Sequence, residues 1–93
     1  MDRKQVYKLI DGERKYQDEK WNANTTETGG KHDSPVEWSS FMQQYLREAD
    51  AILAHNSRQV SYPKAMDIIR KVTAMGVAAM EQIDTPARIK TKK

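Results

Sequence analysis

Two glutamines and two arginines give this chain a possible site for a phosphorylated ligand. Arg47 comes four residues after Gln43 and three after Gln44, so the three side chains share one helix face. A guanidinium group binds phosphate oxygens two at a time, and amides could add hydrogen bonds to a sugar or a base. Arg70 could approach this face from the next helix of an antiparallel hairpin. The alternative is that both arginines lie in solvent and pair with neighbouring carboxylates.

The stretch ERKYQDEKW, residues 13–21, could form a second wall of the same site. Tyr16 or Trp21 could stack on a base, and Lys20 would belong to the same wall. The simpler interpretation is a charged helix surface with two aromatic anchors.

The sequence shows no arrangement typical of catalysis or of metal binding. Cysteine is absent, which excludes thiolate chemistry and disulfides. The pair Gly29-Gly30 does not lead into the Lys-Ser/Thr of a phosphate-binding loop. Neither His32 nor His55 has a nucleophile or a metal-binding partner at a suitable spacing. We therefore expect no cofactor, no metal ion and no catalytic residue.

A helix predicted over residues 34–55 must position most of these groups. Ser34 is suited to the N-cap, Pro35 to the first helical position, and Glu37 completes a capping box. Apolar residues then recur at three- and four-residue steps and form one wide stripe: Trp38, Phe41, Met42, Tyr45, Leu46, Ala49, Ile52 and Leu53.

Two further helices are predicted around this one. The first could kink or pause at Gly12, and the third should be capped by Ser61 with Pro63 in its first turn. Two helices joined by so short a link should form an antiparallel hairpin. The predicted domain, residues 1–93, consists of a helix at 2–21, a loop at 22–33, helices at 34–55 and 62–83, and a basic tail at 84–93.

The third helix carries apolar residues on more than one face, and Gly76 in its middle suggests a close helix crossing. A chain of 93 residues buries too little surface to be very stable alone. The sequence therefore predicts an all-α fold, a three-helix protomer that packs into a homo-oligomeric bundle, as a dimer or a higher even number.

Charge and hydropathy suggest a cytoplasmic protein without a membrane partner. The net charge is +3, and we find no signal peptide and no long apolar run. The basic residues near the C-terminus are more typical of a solvated end than of a nucleic-acid-binding arm, so nucleic acid is a possible partner that we do not favour.

In order and spacing, the chain resembles small phage and prophage proteins related to the MazG-like all-α nucleotide pyrophosphohydrolases. The resemblance covers about residues 13–88 and rests on ERKYQDEKW, a polar loop, H-x-S-P-x-E-W, a helix, a short link and IRKVTAMGVAAMEQ. Active members carry Glu-Glu-x-x-Glu in the helix after the loop and Glu-x-x-Asp in the next helix. These carboxylates hold magnesium against a nucleoside triphosphate, and the family assembles helical hairpins into dimers and tetramers.

This chain departs from the family at the metal site. Gln43, Gln44 and Arg47 stand where the first carboxylates would be, and the comparable stretch around Arg70 has no carboxylate. Amides and cations cannot replace the anionic oxygens that magnesium needs. The resemblance therefore implies a non-catalytic protein that binds a nucleotide or another phosphorylated small molecule and could sequester a nucleotide signal of host defence.

Two alternatives remain open at this point. One is a magnesium-dependent nucleoside triphosphate pyrophosphohydrolase that uses other carboxylates, such as Glu37, Glu48 and Asp67. The other is a small protein- or DNA-binding adaptor that uses its basic tail.

Overall fold

The third helix is the element on which the other two pack. The computed structural model describes residues 1–23 and 34–89, which contain α1 (Arg3–Ala23), α2 (Pro35–His55) and α3 (Arg58–Gln82) and no strand. Both α1 and α2 pack on α3, whereas the backbones of α1 and α2 do not pack on each other within these residues. The predicted all-α, three-helix fold is confirmed.

The start of α2 follows the predicted capping box. The backbone N–H of Glu37 donates to Ser34 Oγ at 3.2 Å, and the backbone N–H of Ser34 donates to Glu37 Oε1 at 2.9 Å. Pro35 occupies the first turn. These contacts satisfy two of the amides that a helix start leaves free, and so fix where α2 begins.

The start of α3 differs from the prediction. The helix begins at Arg58, with Ser57 at the N-cap, and Pro63 lies inside the helix. Ser61 is 1% exposed, so it packs in the core and is not a cap. Pro63 is the sixth residue of α3, beyond the first amides that have no partner inside the helix, so it removes one hydrogen bond from the helix. Packing of the early residues of α3 therefore outweighs the preference of Pro63 for the first turn of a helix.

Helix α1 runs without interruption through Gly12, where the sequence suggested a kink or a pause. A Cβ atom at Gly12 would meet nothing within 4 Å. The intrinsic cost of a helical glycine is about 1 kcal/mol, which the contacts of α1 with α3 on the C-terminal side of Gly12 can offset.

Two clusters of buried residues hold α2 on α3. Trp38, in the first turns of α2, packs with Met75 and Ala78 late in α3. Ala49, further along α2, packs with residues early in α3: Ala65, Ile68 and Val72.

The predicted close approach at Gly76 is an ordinary contact. A Cβ atom built on Gly76 would lie 3.6 Å from the terminal methyl carbon of Met42 on α2, a normal van der Waals distance. The crossing therefore has room for an alanine and does not demand glycine.

No helix in the described parts of the chain is long and apolar enough to cross a membrane. Most of the predicted loop, residues 24–33 with His32 and the glycine pair, lies outside the described residues, as do residues 90–93 of the predicted tail.

Candidate functional site

A cleft of about 460 Å³ lies between α1 and α2, with part of α3 as its floor. It exists because both outer helices pack on α3 and leave a gap between themselves. Its volume is in the range of natural small-molecule sites, roughly 300–1,000 Å³. The lining residues are Glu13, Tyr16, Gln17, Lys20 and Trp21 of α1, Trp38, Phe41, Gln44, Tyr45 and Glu48 of α2, and Lys71 and Met75 of α3.

Aromatic side chains dominate the cleft. Five of the seven aromatic residues of the chain line it, including both tryptophans. The ring centres of Trp21 and Trp38 are 5.8 Å apart, and the ring planes are tilted by 56°. This geometry is favourable for an aromatic pair, so the two rings link α1 to α2 across the cleft. Tyr16 is 54% exposed and Tyr45 is 38% exposed, and each could offer a ring to a ligand.

Two lysines contribute positive charge to the lining. The Nζ atom of Lys20 lies 5.8 Å from the centre of the Tyr16 ring, a cation–π contact. The Nζ atom of Lys71 lies 3.9 Å from Asp67 Oδ2, a long ion pair whose two side chains are both more than 40% exposed. Among the described residues, neither ammonium group has a short ion pair, so both could turn towards an anion in the cleft.

Two glutamates also line the cleft. The Glu13 side chain is only 9% exposed, and its Oε1 accepts a hydrogen bond from Arg70 Nε at 2.9 Å. Its charge is thus compensated by a guanidinium group on α3. Glu48 lies on the exposed side of the lining and could accept hydrogen bonds from a ligand.

Gln17 ties the α1 wall to the floor of the cleft. It is 6% exposed, its Nε2 donates to the backbone carbonyl of Lys71 at 3.2 Å, and its Oε1 accepts from Arg14 Nη1 at 3.2 Å. A buried amide with both ends bonded is stable and directional, so Gln17 fixes the position of this part of α1.

Arg14 forms the second attachment of α1 to α3. Its guanidinium donates twice to Glu81, at 2.7 and 3.1 Å, and once to Asp18 at 2.7 Å. It also lies 5.7 Å from the centre of the Trp21 ring. The pairing with Glu81 raises the pKa of Arg14 and lowers the pKa of Glu81, because each charge stabilises the other.

The ion pair of Arg70 with Glu13 has its cation on α3 and its anion on α1, the reverse of the pair of Arg14 with Glu81. Arg70 also donates to Asp67, and its pKa is raised first by Glu13 and then by Asp67. Together the two arginines and Gln17 hold α1 against α3. They therefore fix the position of the α1 wall of the cleft.

The indole N–H of Trp38 is a buried hydrogen-bond donor in the lining. Trp38 is 2% exposed, and its Nε1 has no hydrogen-bond partner within the described residues. An unpaired buried donor costs about 1–3 kcal/mol.

The structure brings four of the seven predicted site residues to the cleft: Tyr16, Lys20, Trp21 and Gln44. It does not bring the other three there. Gln43 donates to Ser39 Oγ at 3.0 Å on another face of α2, and Arg47 is exposed. Arg70 is engaged by Glu13 and Asp67.

Sequence reasoning missed part of the α2 wall and the floor. Phe41, Tyr45 and Glu48 recur at four- and three-residue steps, so they lie on one helix face. The sequence pattern assigns the two aromatics to the apolar stripe of α2, and Glu48 to the carboxylates of the pyrophosphohydrolase alternative. The polar residue Gln44 lies beside this row, and a polar residue is unusual on a buried face. It is the signal that could have indicated a cleft here and not the core. Nothing in the sequence indicates that Lys71 forms part of the floor.

Within the described residues, no three His, Cys, Asp or Glu side chains come close enough together to hold a metal ion. Comparison with known proteins gives no match to any family model, to any curated protein or to any solved structure.

Proposed function

We propose that the cleft binds a small ligand that combines a planar ring with a phosphate group, such as a nucleotide. The observation that carries this proposal is that five aromatic side chains and two lysines, neither with a short ion pair in the described parts of the chain, line one cleft of about 460 Å³. Stacking on aromatic rings stabilises a bound base by roughly 1–3 kcal/mol. An ammonium group can bind a phosphate oxygen directly, without a metal ion.

The balance of charge favours a ligand with a single phosphate. The charge of Glu13 is already compensated by Arg70, so the two lysines of the lining are offset only by Glu48. A triphosphate would bring more negative charge than two lysines can compensate, whereas a monophosphate or cyclic nucleotide needs only the two lysines. Glu48 and Gln44 could then bind the sugar hydroxyls or the polar edge of the base.

On the resemblance to MazG-like proteins, we further propose a non-catalytic relative that acts in the cytoplasm of a phage host and sequesters a nucleotide signal. Its protomer would be an antiparallel α2–α3 hairpin with α1 alongside, assembled into a homo-oligomer. The pairing of early α2 with late α3, and of late α2 with early α3, supports the hairpin. Gln43, Gln44, Arg47 and Arg70, where the active family carries carboxylates, support the absence of hydrolysis.

Calorimetric titration with nucleoside mono-, di- and triphosphates and cyclic nucleotides, in the presence of EDTA, tests the binding. Tryptophan fluorescence gives an independent reading, because both tryptophans of the chain line the cleft. We expect saturable binding without a divalent metal and a change of emission at the same ligand concentration. Binding and turnover that appear only with magnesium would instead favour the pyrophosphohydrolase alternative.

Matched lysine variants locate the bound phosphate. Lys20→Ala and Lys71→Ala should each weaken binding by about 1.5–3 kcal/mol, the range for a hydrogen bond to a charged group. Lys15→Ala and Lys64→Ala remove exposed lysines of α1 and α3 that do not line the cleft, and they should bind like the parent. Equal affinity for all five proteins would refute the cleft as the phosphate site.

A tyrosine pair tests the stacking in the same way. Tyr16→Leu should weaken binding by about 1–3 kcal/mol, because it removes an aromatic face from the lining. Tyr7→Leu is the control, since Tyr7 is 62% exposed on α1 and lies outside the cleft. Arg47→Ala and Arg70→Ala, at the two arginines that the sequence places in a possible phosphate site, are measured in the same series. A loss at Arg47 without a loss at Lys20 would move the site to the other face of α2.

A further inference from the structure

The largest aromatic side chains of the cleft gather at one of its ends. Trp38 packs with Met75 of α3, and Trp21 and Phe41 lie against the same cluster. The two indole rings lie across this end, with their centres only 5.8 Å apart. A flat apolar group of a ligand therefore finds its largest contact area here.

Glu48 and Lys71 lie towards the opposite end of the cleft. Glu48 directly precedes Ala49, which packs in one cluster with Val72 of α3, so Glu48 comes to the level of Lys71. Along α2, Glu48 lies ten residues beyond Trp38, or about 15 Å at 1.5 Å per residue. The cleft is therefore aromatic at one end and charged at the other.

Glu48 is the carboxylate of the lining that is available to a ligand. The other one, Glu13, is 9% exposed and already accepts a hydrogen bond from Arg70. Glu48 is exposed, and it makes no hydrogen bond or ion pair with residues 1–23 and 34–89. A free carboxylate repels a phosphate group, so it helps a nucleotide to bind only if it contacts another part of the ligand.

We propose that Glu48 binds the hydroxyl groups of a ribose, so that the cleft selects ribonucleotides over deoxyribonucleotides. This inference rests on the proposed binding of a nucleotide in the cleft. A carboxylate only accepts hydrogen bonds, and each ribose hydroxyl can donate one. Acidic side chains bind ribose hydroxyls in this way in dinucleotide-binding folds, and the 2′-hydroxyl is the group by which proteins distinguish RNA from DNA.

The position of Glu48 favours the sugar over the base. Gln44 lies one turn of α2 closer to the aromatic end, and its amide carries both donors and an acceptor. The edge of adenine also presents a donor beside an acceptor, so an amide suits a base better than a carboxylate does. A nucleotide with its base at the aromatic end places its sugar further along the cleft, towards Glu48.

Calorimetric titration with ribonucleoside 5′-monophosphates and their 2′-deoxy counterparts, in the presence of EDTA, tests this assignment. The parent should bind each ribonucleotide about tenfold more tightly than its deoxy counterpart, because the deoxy sugar lacks a hydrogen bond to a charged group that is partly in solvent. Glu48→Ala should bind ribonucleotides about tenfold more weakly than the parent does. It should bind deoxyribonucleotides at least as tightly as the parent, since a charge that repels phosphate is gone.

Asp50→Ala is the matched control. Asp50 is another exposed carboxylate of α2, and it does not line the cleft, so this variant should keep the preference for ribose. Circular dichroism checks that both variants remain helical.

The outcomes separate this inference from the proposed function. If the parent binds ribo- and deoxyribonucleotides equally well, with a change of tryptophan emission for both, the role of Glu48 is overturned and nucleotide binding stands. If Glu48→Ala changes the preference among bases and not the preference between sugars, Glu48 contacts the base and the inference is also wrong. If the parent binds no nucleotide, the proposed function fails, and this inference fails with it.

Discussion

Replacing Gly76 tests the crossing of α2 and α3 most directly. An alanine there should stabilise the protein by about 0.8–1.0 kcal/mol, the difference in helix propensity between the two residues. No steric cost opposes this gain, because the new Cβ would lie 3.6 Å from the terminal methyl carbon of Met42, an ordinary contact distance. For a domain of this size the gain corresponds to a rise in Tm of roughly 4–8 °C.

A leucine at the same position should act in the opposite direction. Its additional carbons occupy the space of the Met42 side chain, and overpacking of this kind typically costs about 1–3 kcal/mol. Part of that cost is offset by the better helix propensity of leucine. Gly76→Leu should therefore be close to neutral or destabilising, by up to about 2 kcal/mol. In the background of Met42→Ala, which empties that space, most of the penalty should disappear.

The assay is urea unfolding followed by helical circular dichroism, at one fixed protein concentration because association would also change the midpoint. Gly12→Ala is the control, since nothing lies within 4 Å of its new Cβ and only the helix propensity changes. It should stabilise by about 0.8–1.0 kcal/mol. If Gly12→Ala stabilises and Gly76→Ala destabilises, the backbones of α2 and α3 are closer than described here and the reasoning is wrong.

Three further predictions concern the cap, the core and the attachment of α1. Ser34→Ala should lower the free energy of unfolding by about 1 kcal/mol, and Ser34→Gly by less, because glycine is tolerated at an N-cap; an unchanged midpoint for Ser34→Ala would contradict the cap. Trp38→Ala should cost about 3–5 kcal/mol, since its ring is 2% exposed; a thermally neutral variant that loses ligand would make Trp38 a binding residue and not a core residue. The lowered pKa of Glu81 predicts that its pair with Arg14 contributes stability above pH 4.5, the ordinary value of this carboxyl, and that this contribution is lost as the pH falls through the lower folded value. The contribution should be about 0.2–1 kcal/mol, because half of the Glu81 side chain is in solvent. The Glu81→Gln variant should therefore be less stable than the parent at neutral pH and nearly as stable as the parent in strong acid.

Local signals predicted α2 well because its start depends on residues adjacent in the chain. The capping box of Ser34 and Glu37 needs no tertiary partner, and the structure contains it. The start of α3 could not be predicted from adjacent residues, because the burial of Ser61 depends on contacts with the rest of the fold. The break expected at Gly12 is absent for the same reason, as tertiary contacts outweigh a local cost of about 1 kcal/mol.

The candidate site was only partly visible in the sequence because it is made by three helices. The α1 residues Tyr16, Lys20 and Trp21 form a compact local group, and they were identified together. Whether an aromatic residue of α2, such as Tyr45, faces the core or a cleft depends on the gap that α1 leaves, which no local pattern encodes. The partners of Arg70 were likewise hidden, since Glu13 is 57 residues away in the chain.

The attachment of α1 to α3 also has a consequence for the order of folding and for hydrogen exchange. Gln17 contacts a residue 54 positions away and Arg14 one 67 positions away, whereas α2 and α3 are nearly contiguous. Closing a longer loop costs more entropy, so the α2–α3 pair should form first and α1 should dock on it later.

In the native state the same asymmetry should make α1 the first helix to open, with amide protons that exchange at a lower free energy than those of α2 and α3. The cleft loses one wall in each such opening, because Tyr16, Lys20 and Trp21 leave with α1. A ligand bound in the cleft would then slow exchange along α1 more than elsewhere, and the opening rate of α1 would set an upper limit on how long the ligand stays bound.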